Sequence, residues 1–528
     1  MNHRITRTRH APRRSALCAT VLCAGAICAA LAGCNVGPKY NPPVATAPPV
    51  YKESPDQFKE MDGWKVAQPS DAMLRGNWWE IYNEPELNDL EEQLEVNNQN
   101  IRQAFENFMQ ARALVREARS QYFPTVAVGP SFSRSRNSSN IGSQGNGGAG
   151  GTSSGSGSGN GSTGGGAFNS IALPVTASWE PDLWDKVRNT VRSQQYQAQL
   201  TAADLENERL TEQASLAQFY FQLRGQDEQQ RILDETVAAD RKAYDLEKSR
   251  YENGVDDQIS VVEAQTTLES AESAATNLGI ARAQYEHAIA MLIGKPASSF
   301  SMPVKAHVFA PPPIPIGLPS QLLERRPDIA AAERNMAASN AQIGVAKAAF
   351  YPNLDLSASA GLESSTFKHL FDWSSRVWSV GPSISETIYD GGLRRATVNQ
   401  YIATYNANVA AYKQSVLNGL QQVEDALASV RILSDQIKHQ QQAVDSAQVF
   451  LKLEQNRYDN GIDPYIDVIT AQTTLLNDEQ SLANLQVQQM TASVQLIEAL
   501  GGGWDRSQLP SPQQVTARPS HAETAMDH

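Results

Sequence analysis

Two nearly identical acidic turns hold the residues best suited to electrostatic chemistry. "RYENGVDDQISVVEAQTTL" (Arg250 to Leu268) and "RYDNGIDPYIDVITAQTTL" (Arg457 to Leu475) agree without gaps at twelve of nineteen positions, at an offset of 207. The first carries Asp256, Asp257 and Glu263; the second carries Asp463 and Asp467. Carboxylates gathered around an axis select cations, and a negative edge receives a basic partner. Gly254 and Gly461 lie inside the turns, where a missing side chain gives a partner close access to the backbone. A solvated turn accounts for the same residues individually, with Asp463 capping a helix that opens at Pro464. Thr470, not an acid, stands where the second copy should match Glu263.

A different chemistry is written at the start of the chain. Arg4, Arg7, Arg9, Arg13 and Arg14 precede an apolar run from Ala16 to Gly33, which ends in "LAGC". A basic start, an apolar stretch and small residues at the cut describe an export signal over 1–33. The small pair before Cys34 resembles a bacterial lipobox, making Cys34 the acylated first residue. The alanine-rich run and complete lipobox favour cleavage over an uncleaved anchor. Asn35, rather than aspartate, suits the outer membrane. Cys18, Cys23 and Cys28 fall inside the signal, so neither a disulfide nor a thiolate metal site is expected.

Signal removal leaves 39 of the 44 basic residues against 57 acidic ones, a net charge of −18. That balance argues against nucleic acid and anionic lipid as partners. The histidines beyond the signal (His287, His307, His369, His439, His521, His528) lack zinc-ligand spacing. No nucleophile elbow or phosphate loop is present. No cofactor, metal or enzymatic activity is expected.

The elements carrying the turns form two repeats. Residues 34–83 read as a proline-rich tether leading to an equatorial segment, 84–300 as the first repeat and 301–326 as an equatorial linker. Residues 327–501 read as the second repeat and 502–528 as a tail. In each repeat a helix halts at a proline, Pro124 or Pro352, and alternation follows. Leu354, Leu356, Ala358, Ala360 and Leu362 share one face, opposite Asn353, Asp355, Ser357, Ser359 and Gly361. Trp378, Val380, Ile384 and Ile388 alternate with small polar residues, and Ile171 to Trp179 does likewise. Period-two segments of ~10 residues, apolar outward and small-polar inward, suit membrane barrel strands. The uncharged Gly/Ser-rich stretch 137–166 reads as an external hairpin loop.

The expected helices run from Pro85 to about Tyr122, Asp185 to about Tyr251, Ile259 to Ile293, Pro327 for ~25 residues, Gly392 to Tyr458 and Pro464 to Leu500. A run of ~66 residues spans ~100 Å as one helix. Tyr412, Val416, Leu420, Val423, Leu427 and Val430 keep coiled-coil spacing. Four strands cannot close a barrel, since ~8 is the narrowest; three chains would supply twelve. The acidic turns then form the lower rim of a helical tube, duplicated because its wall is duplicated.

"WWEIYNEPEL", "LLERRPDIAAAE", "AFYPNLDL", "YDGGLRRA" and the second turn resemble the outer-membrane efflux protein family, in its lipoprotein NodT-type or OprM-like branch. The resemblance implies a mainly helical homotrimeric channel-tunnel, with four strands per chain in a shared twelve-strand barrel above a helical cylinder. It implies a passive duct for small molecules, serving a periplasmic adaptor and an inner-membrane resistance–nodulation–division pump. It also places an acidic constriction near Glu263 and Asp467. A protein-secretion duct is the alternative within this class, and the lipoprotein form argues against it. A structural periplasmic coiled-coil lipoprotein would explain the heptads but not the paired strands.

Overall fold

A computed structural model describes residues 36–42, 48, 51–53, 76–136, 167–306, 310–314 and 322–517. The signal, Cys34 and the Gly/Ser-rich stretch 137–166 lie outside the described residues.

The two repeats return the same helix lengths. The first contains α1 (Pro85–Asn97), α2 (Gln99–Ser120), α3 (Lys186–Glu252) and α4 (Gln258–Leu292). The second contains α5 (Pro327–Ala348), α6 (Leu393–Asp459) and α7 (Tyr465–Ala499). Helices α2 and α5 have 22 residues each, α3 and α6 have 67, and α4 and α7 have 35. The expected single helix from Pro85 is instead broken at Asn98. Its backbone is extended there, and its Oδ1 accepts from the amides of Asn100 and Ile101 at 2.8 and 3.0 Å. An asparagine side chain that competes for backbone donors starts a new helix rather than continuing the old one.

The chain divides into two compact units. One comprises 116–193 and 340–402, with the segment up to Lys39. It holds the strands β1 (Thr125–Val128), β2 (Ser131–Ser135), β3 (Phe168–Trp179), β4 (Asn353–Ser364) and β5 (Arg376–Ser385). All pairings are antiparallel, in the order β1-β3-β4-β5, with β2 also on β3. β1 and β2 share one register on β3: Val128 opposes Val175 and Ser131 opposes Ala172. They are one strand interrupted at Gly129–Pro130, where proline has no amide for the ladder. The sheet is therefore four strands wide, with β1/β2 and β5 as its edges.

The register confirms the alternation. Val126, Ala177, Ala358 and Val380 form one cross-strand row, and Val128, Val175, Ala360 and Trp378 the next. The opposite face carries Ala127, Thr176, Ser359 and Ser379 in one row and Thr125, Ser178, Ser357 and Gly381 in another. The apolar face is open in the single chain: Val126, Trp378, Val380 and Ile384 are each more than 60% exposed. β5 ends at Ser385, so Ile388 lies beyond it. Where the strands meet the helices, Trp184 stacks on Tyr351 at 4.8 Å and donates to the Pro352 carbonyl at 2.8 Å. Asp182 caps the start of α3 through the amides of Val187 and Arg188.

The second unit comprises Tyr40–Val115, Gln194–Ser339 and Ala403–His528. The expected tether does not stay free to its end. Trp78–Tyr82 fold into a 3-10 helix whose Trp78, Trp79 and Tyr82 are buried in the main core, beside Phe221 and Leu94. Three large aromatic rings bury more apolar surface than an extended segment can leave in water. The "LLERRPD" motif has a packing role. Arg326 donates to the Ala499 carbonyl at the end of α7 at 2.9 Å and pairs with Asp328 at 2.7 Å. The α6 seam is buried at Tyr412, Val416, Val423, Leu427 and Val430. Among the described residues, no helix is long and apolar enough to cross a membrane.

Candidate functional site

The duplicated turns are duplicated caps. At the end of α3, Gly254 adopts φ +71; its amide donates to the Tyr251 carbonyl at 2.9 Å, and the Val255 amide to the Arg250 carbonyl at 2.9 Å. At the end of α6, Gly461 has φ +69, with the matching bonds to Tyr458 and Arg457 at 2.8 and 2.9 Å. Both are Schellman motifs, in which a left-handed residue satisfies the last helical carbonyls. A β-carbon at either glycine would meet nothing within 4 Å. Their backbone is open, and the requirement for glycine is conformational.

The acids separate into those the turns consume and those they leave free. Asp257 caps α4, accepting from the Ile259 and Ser260 amides at 3.0 and 3.2 Å. Asp256 accepts from the Asp257 amide at 2.8 Å and lies 3.8 Å from Arg250. Asp463 does not cap α7, whose N-cap is Pro464 with no side-chain bond. It pairs instead with Arg457, Nη2 to Oδ1 at 2.8 Å, and that guanidinium holds its carboxyl below the usual range. The cap lies only in the first turn, because proline replaces Asp257 in the second. Glu263 and Asp467 make no side-chain hydrogen bond or ion pair among the described residues. The carboxylates of Asp467, Asp463 and Glu454 lie within 4.8 Å of one another, and Glu263 is not in that group.

A buried network behind the turns joins the two repeats. The Tyr458 hydroxyl donates to Glu247 Oε1 at 2.5 Å and accepts from Arg250 Nη1 at 2.8 Å. The Arg250 guanidinium lies 4.9 Å from the Tyr458 ring centroid, and the Tyr465 ring packs against Tyr458 with centroids 5.4 Å apart and planes tilted by 56°. Tyr251, the counterpart of Tyr458, is exposed. The signal for this network was the Arg-Tyr pair that opens both copies. Nothing local told which tyrosine is buried.

Asp240 on α3 is 2% exposed, and among the described residues neither carboxylate oxygen has a hydrogen-bond partner. Burial pushes its carboxyl up to about 6. The Tyr465 hydroxyl, also without a partner, is raised first by burial and then by the charges of Asp240, Glu247 and Glu263. Between about pH 4, where an unfolded aspartate titrates, and the folded value, the folded state holds the extra proton. This contribution to stability is therefore lost as pH rises through that window. Asp240→Asn is expected to remove this dependence and raise the denaturation midpoint at pH 7.5. Melts of detergent-solubilised protein at pH 4.5 and 7.5 check it; an unchanged difference between the two would refute the assignment.

The sequence profile described as outer membrane efflux protein matches residues 90–295 and 318–502. The chain belongs to the outer membrane efflux protein family. Among relatives of this efflux protein, the probable efflux pump outer membrane protein TtgC of Pseudomonas putida is 30% identical over 493 residues, covering 92% of this chain and 96% of TtgC. The cation efflux system protein CusC of Escherichia coli is 27% identical, over 90% of this chain and 97% of its own. The solved outer-membrane channel OprN superposes with a TM-score of 0.77 at 25% identity, over 89% of this chain and all of OprN.

Proposed function

We propose that three copies of this efflux protein close their sheets into one twelve-strand outer-membrane barrel and continue it into the periplasm as a tube. The protein serves as the passive exit duct of a tripartite pump for small molecules. The observation that carries this is the open four-strand sheet, with an exposed apolar face and a Ser/Thr-lined opposite face. In lipid every strand edge must be paired, and the apolar face has its natural solvent in the acyl chains. Relatives named for toluene, antibiotic and cation efflux show that cargo differs within the family. Heat-modifiable migration of a trimer, together with single-channel conductance in planar bilayers, tests the reading. A monomeric, non-conducting protein would favour the coiled-coil lipoprotein.

The lipid anchor belongs to the same reading. Cys34 bears the acyl chains, and Cys34→Ser is expected to leave trimers that lack the acyl mass. Intact mass spectrometry of the wild type starting elsewhere than Cys34, or loss of trimers in the variant, counts against it.

The rim receives the periplasmic adaptor of a resistance–nodulation–division pump. Around Gly254 and Gly461 it exposes Val255, Ile259, Ile462 and Ile466 as well as acids, so the partner needs apolar as well as basic contacts. Glu263 and Asp467, the acids no turn consumes, line the closed iris as rings of three. Replacing both with alanine is expected to raise resting conductance and weaken cation preference. Bilayer recordings with unchanged conductance and selectivity would move the gate elsewhere along the tube.

A further inference from the structure

The charged residues of the sheet are sorted by face. Its strands hold two acids, Asp355 and Glu363, and two bases, Arg134 and Arg376. Asp355 opposes Ser383 and Glu363 opposes Ala172, both on the Ser/Thr-lined face. Arg376 opposes Leu362, and Arg134 opposes Asn169, two residues from Ile171, so both bases share the apolar face. They also share the end of the sheet remote from the helices, where Arg136 follows Arg134 at the same parity. All three arginines are exposed, and none has an ion-pair partner among the described residues. The Arg376 guanidinium lies 3.3 Å from the ring centroid of Trp373, which is exposed, as is Trp378 on the apolar face. Asp372, in the same hairpin, is bonded to His369 at 2.7 Å.

We propose that these arginines form a docking surface for the phosphorylated headgroups of outer-leaflet lipid, one at each seam between protomers. The proposal rests on the duct reading, because closure of the barrel assembles the surface. Within one sheet β2 and β5 stand three strand spacings apart, about 14 Å. Closure joins the β1/β2 edge of one chain to the β5 edge of the next, with their outer ends together. Arg134 and Arg136 of one copy then meet Arg376 of its neighbour. Like charges on adjacent strands repel, and an arginine fork grips phosphate with two donors at once. A phosphate shared across the seam turns that repulsion into a clasp. The face decides which phosphate. Exposed tryptophans beside the arginines mark the headgroup level of a bilayer, whereas a soluble anion in the lumen meets Glu363. The acidic balance of the whole chain argued against anionic lipid, but exposed charges more than about 10 Å apart are largely screened from one another. The local sign governs this contact.

The test titrates full-length trimers in detergent with bisphosphorylated lipid A and with its fully dephosphorylated analogue, and native mass spectrometry counts the lipids retained. One bisphosphorylated lipid should be held per seam, and the analogue at least about tenfold more weakly. R376Q should weaken retention about fivefold, and R134Q, R136Q and R376Q together about a hundredfold. R134K, R136K and R376K together should keep most of it. E363Q, which makes the same end less acidic on the other face, should change nothing. Because all these side chains are exposed, heat-modifiable trimers and conductance should persist in every variant. Equal retention of the two lipids, undiminished retention by the triple glutamine variant, or full displacement by equimolar inorganic phosphate overturns the proposal. Conducting trimers in those cases leave the duct reading standing; wild-type protein without trimers overturns that reading and this proposal with it.

Discussion

Ala358→Arg is expected to remove the protein from the outer membrane, whereas Ser359→Arg, one residue along the same strand, leaves assembly intact. Ala358 lies between Ala177 and Val380 on the apolar face; Ser359 lies between Thr176 and Ser379 on the other. In the proposed trimeric barrel, a guanidinium facing lipid at the midplane costs about 2–4 kcal/mol per chain, three times over. An arginine facing the lumen stays in water and adds positive charge to the conduit. Heat-modifiable trimers from membrane fractions, and conductance of whatever assembles, read both outcomes. Assembly of Ala358→Arg with loss of Ser359→Arg would mean that the faces are reversed and the barrel reading is wrong.

Asp227→Ala is expected to destabilise the second unit by about 3–5 kcal/mol, the usual consequence of stranding a buried charge. Asp227 and Arg224 are both fully buried and pair at 2.8 Å. The second Asp227 oxygen takes Arg282 of α4 at 2.7 Å, and the Lys305 amide donates to the carboxylate at 3.0 Å. Arg224 also donates to Glu86 and to the Pro303 carbonyl. One carboxylate thus binds α3, α4 and the linker after α4. Its removal leaves Arg224 with Glu86 alone as charged partner and frees the linker backbone. A lowered denaturation midpoint and faster tryptic cleavage after Lys305 are the readouts, with Asp227→Asn falling between variant and wild type. Unchanged cleavage and midpoint would show that the network contributes little net stability.

What the sequence by itself determined was local and periodic. Period-two alternation around Ala358 and Val380 set the strand faces, because a side chain's face follows from its parity along the strand. The repeated Asn-Gly placed both helix ends, because a left-handed cap accepts few residues besides glycine. The equal spacing of the two copies foretold paired helices of equal length. Asn98 was readable as a break only with its side chain in view, since asparagine also occurs inside helices.

Tertiary structure alone decided which polar groups are spent and which are free. Asp256, Asp257 and Asp463 look like Glu263 and Asp467 in sequence, yet a guanidinium or a helix start claims the first three. Tyr251 and Tyr458 hold equivalent places in the two copies, and only the second is buried, bridging Glu247 and Arg250 across some two hundred residues. Asp227 meets Arg282 and Lys305, and neither oxygen of Glu91 meets a hydrogen-bond partner among the described residues. Burial and pairing depend on what another segment brings to the same place, and no local pattern carries that information. The same physics tunes an acid: burial first, and then the charge of Glu95, pushes the Glu91 carboxyl well above the range of a carboxylate in water.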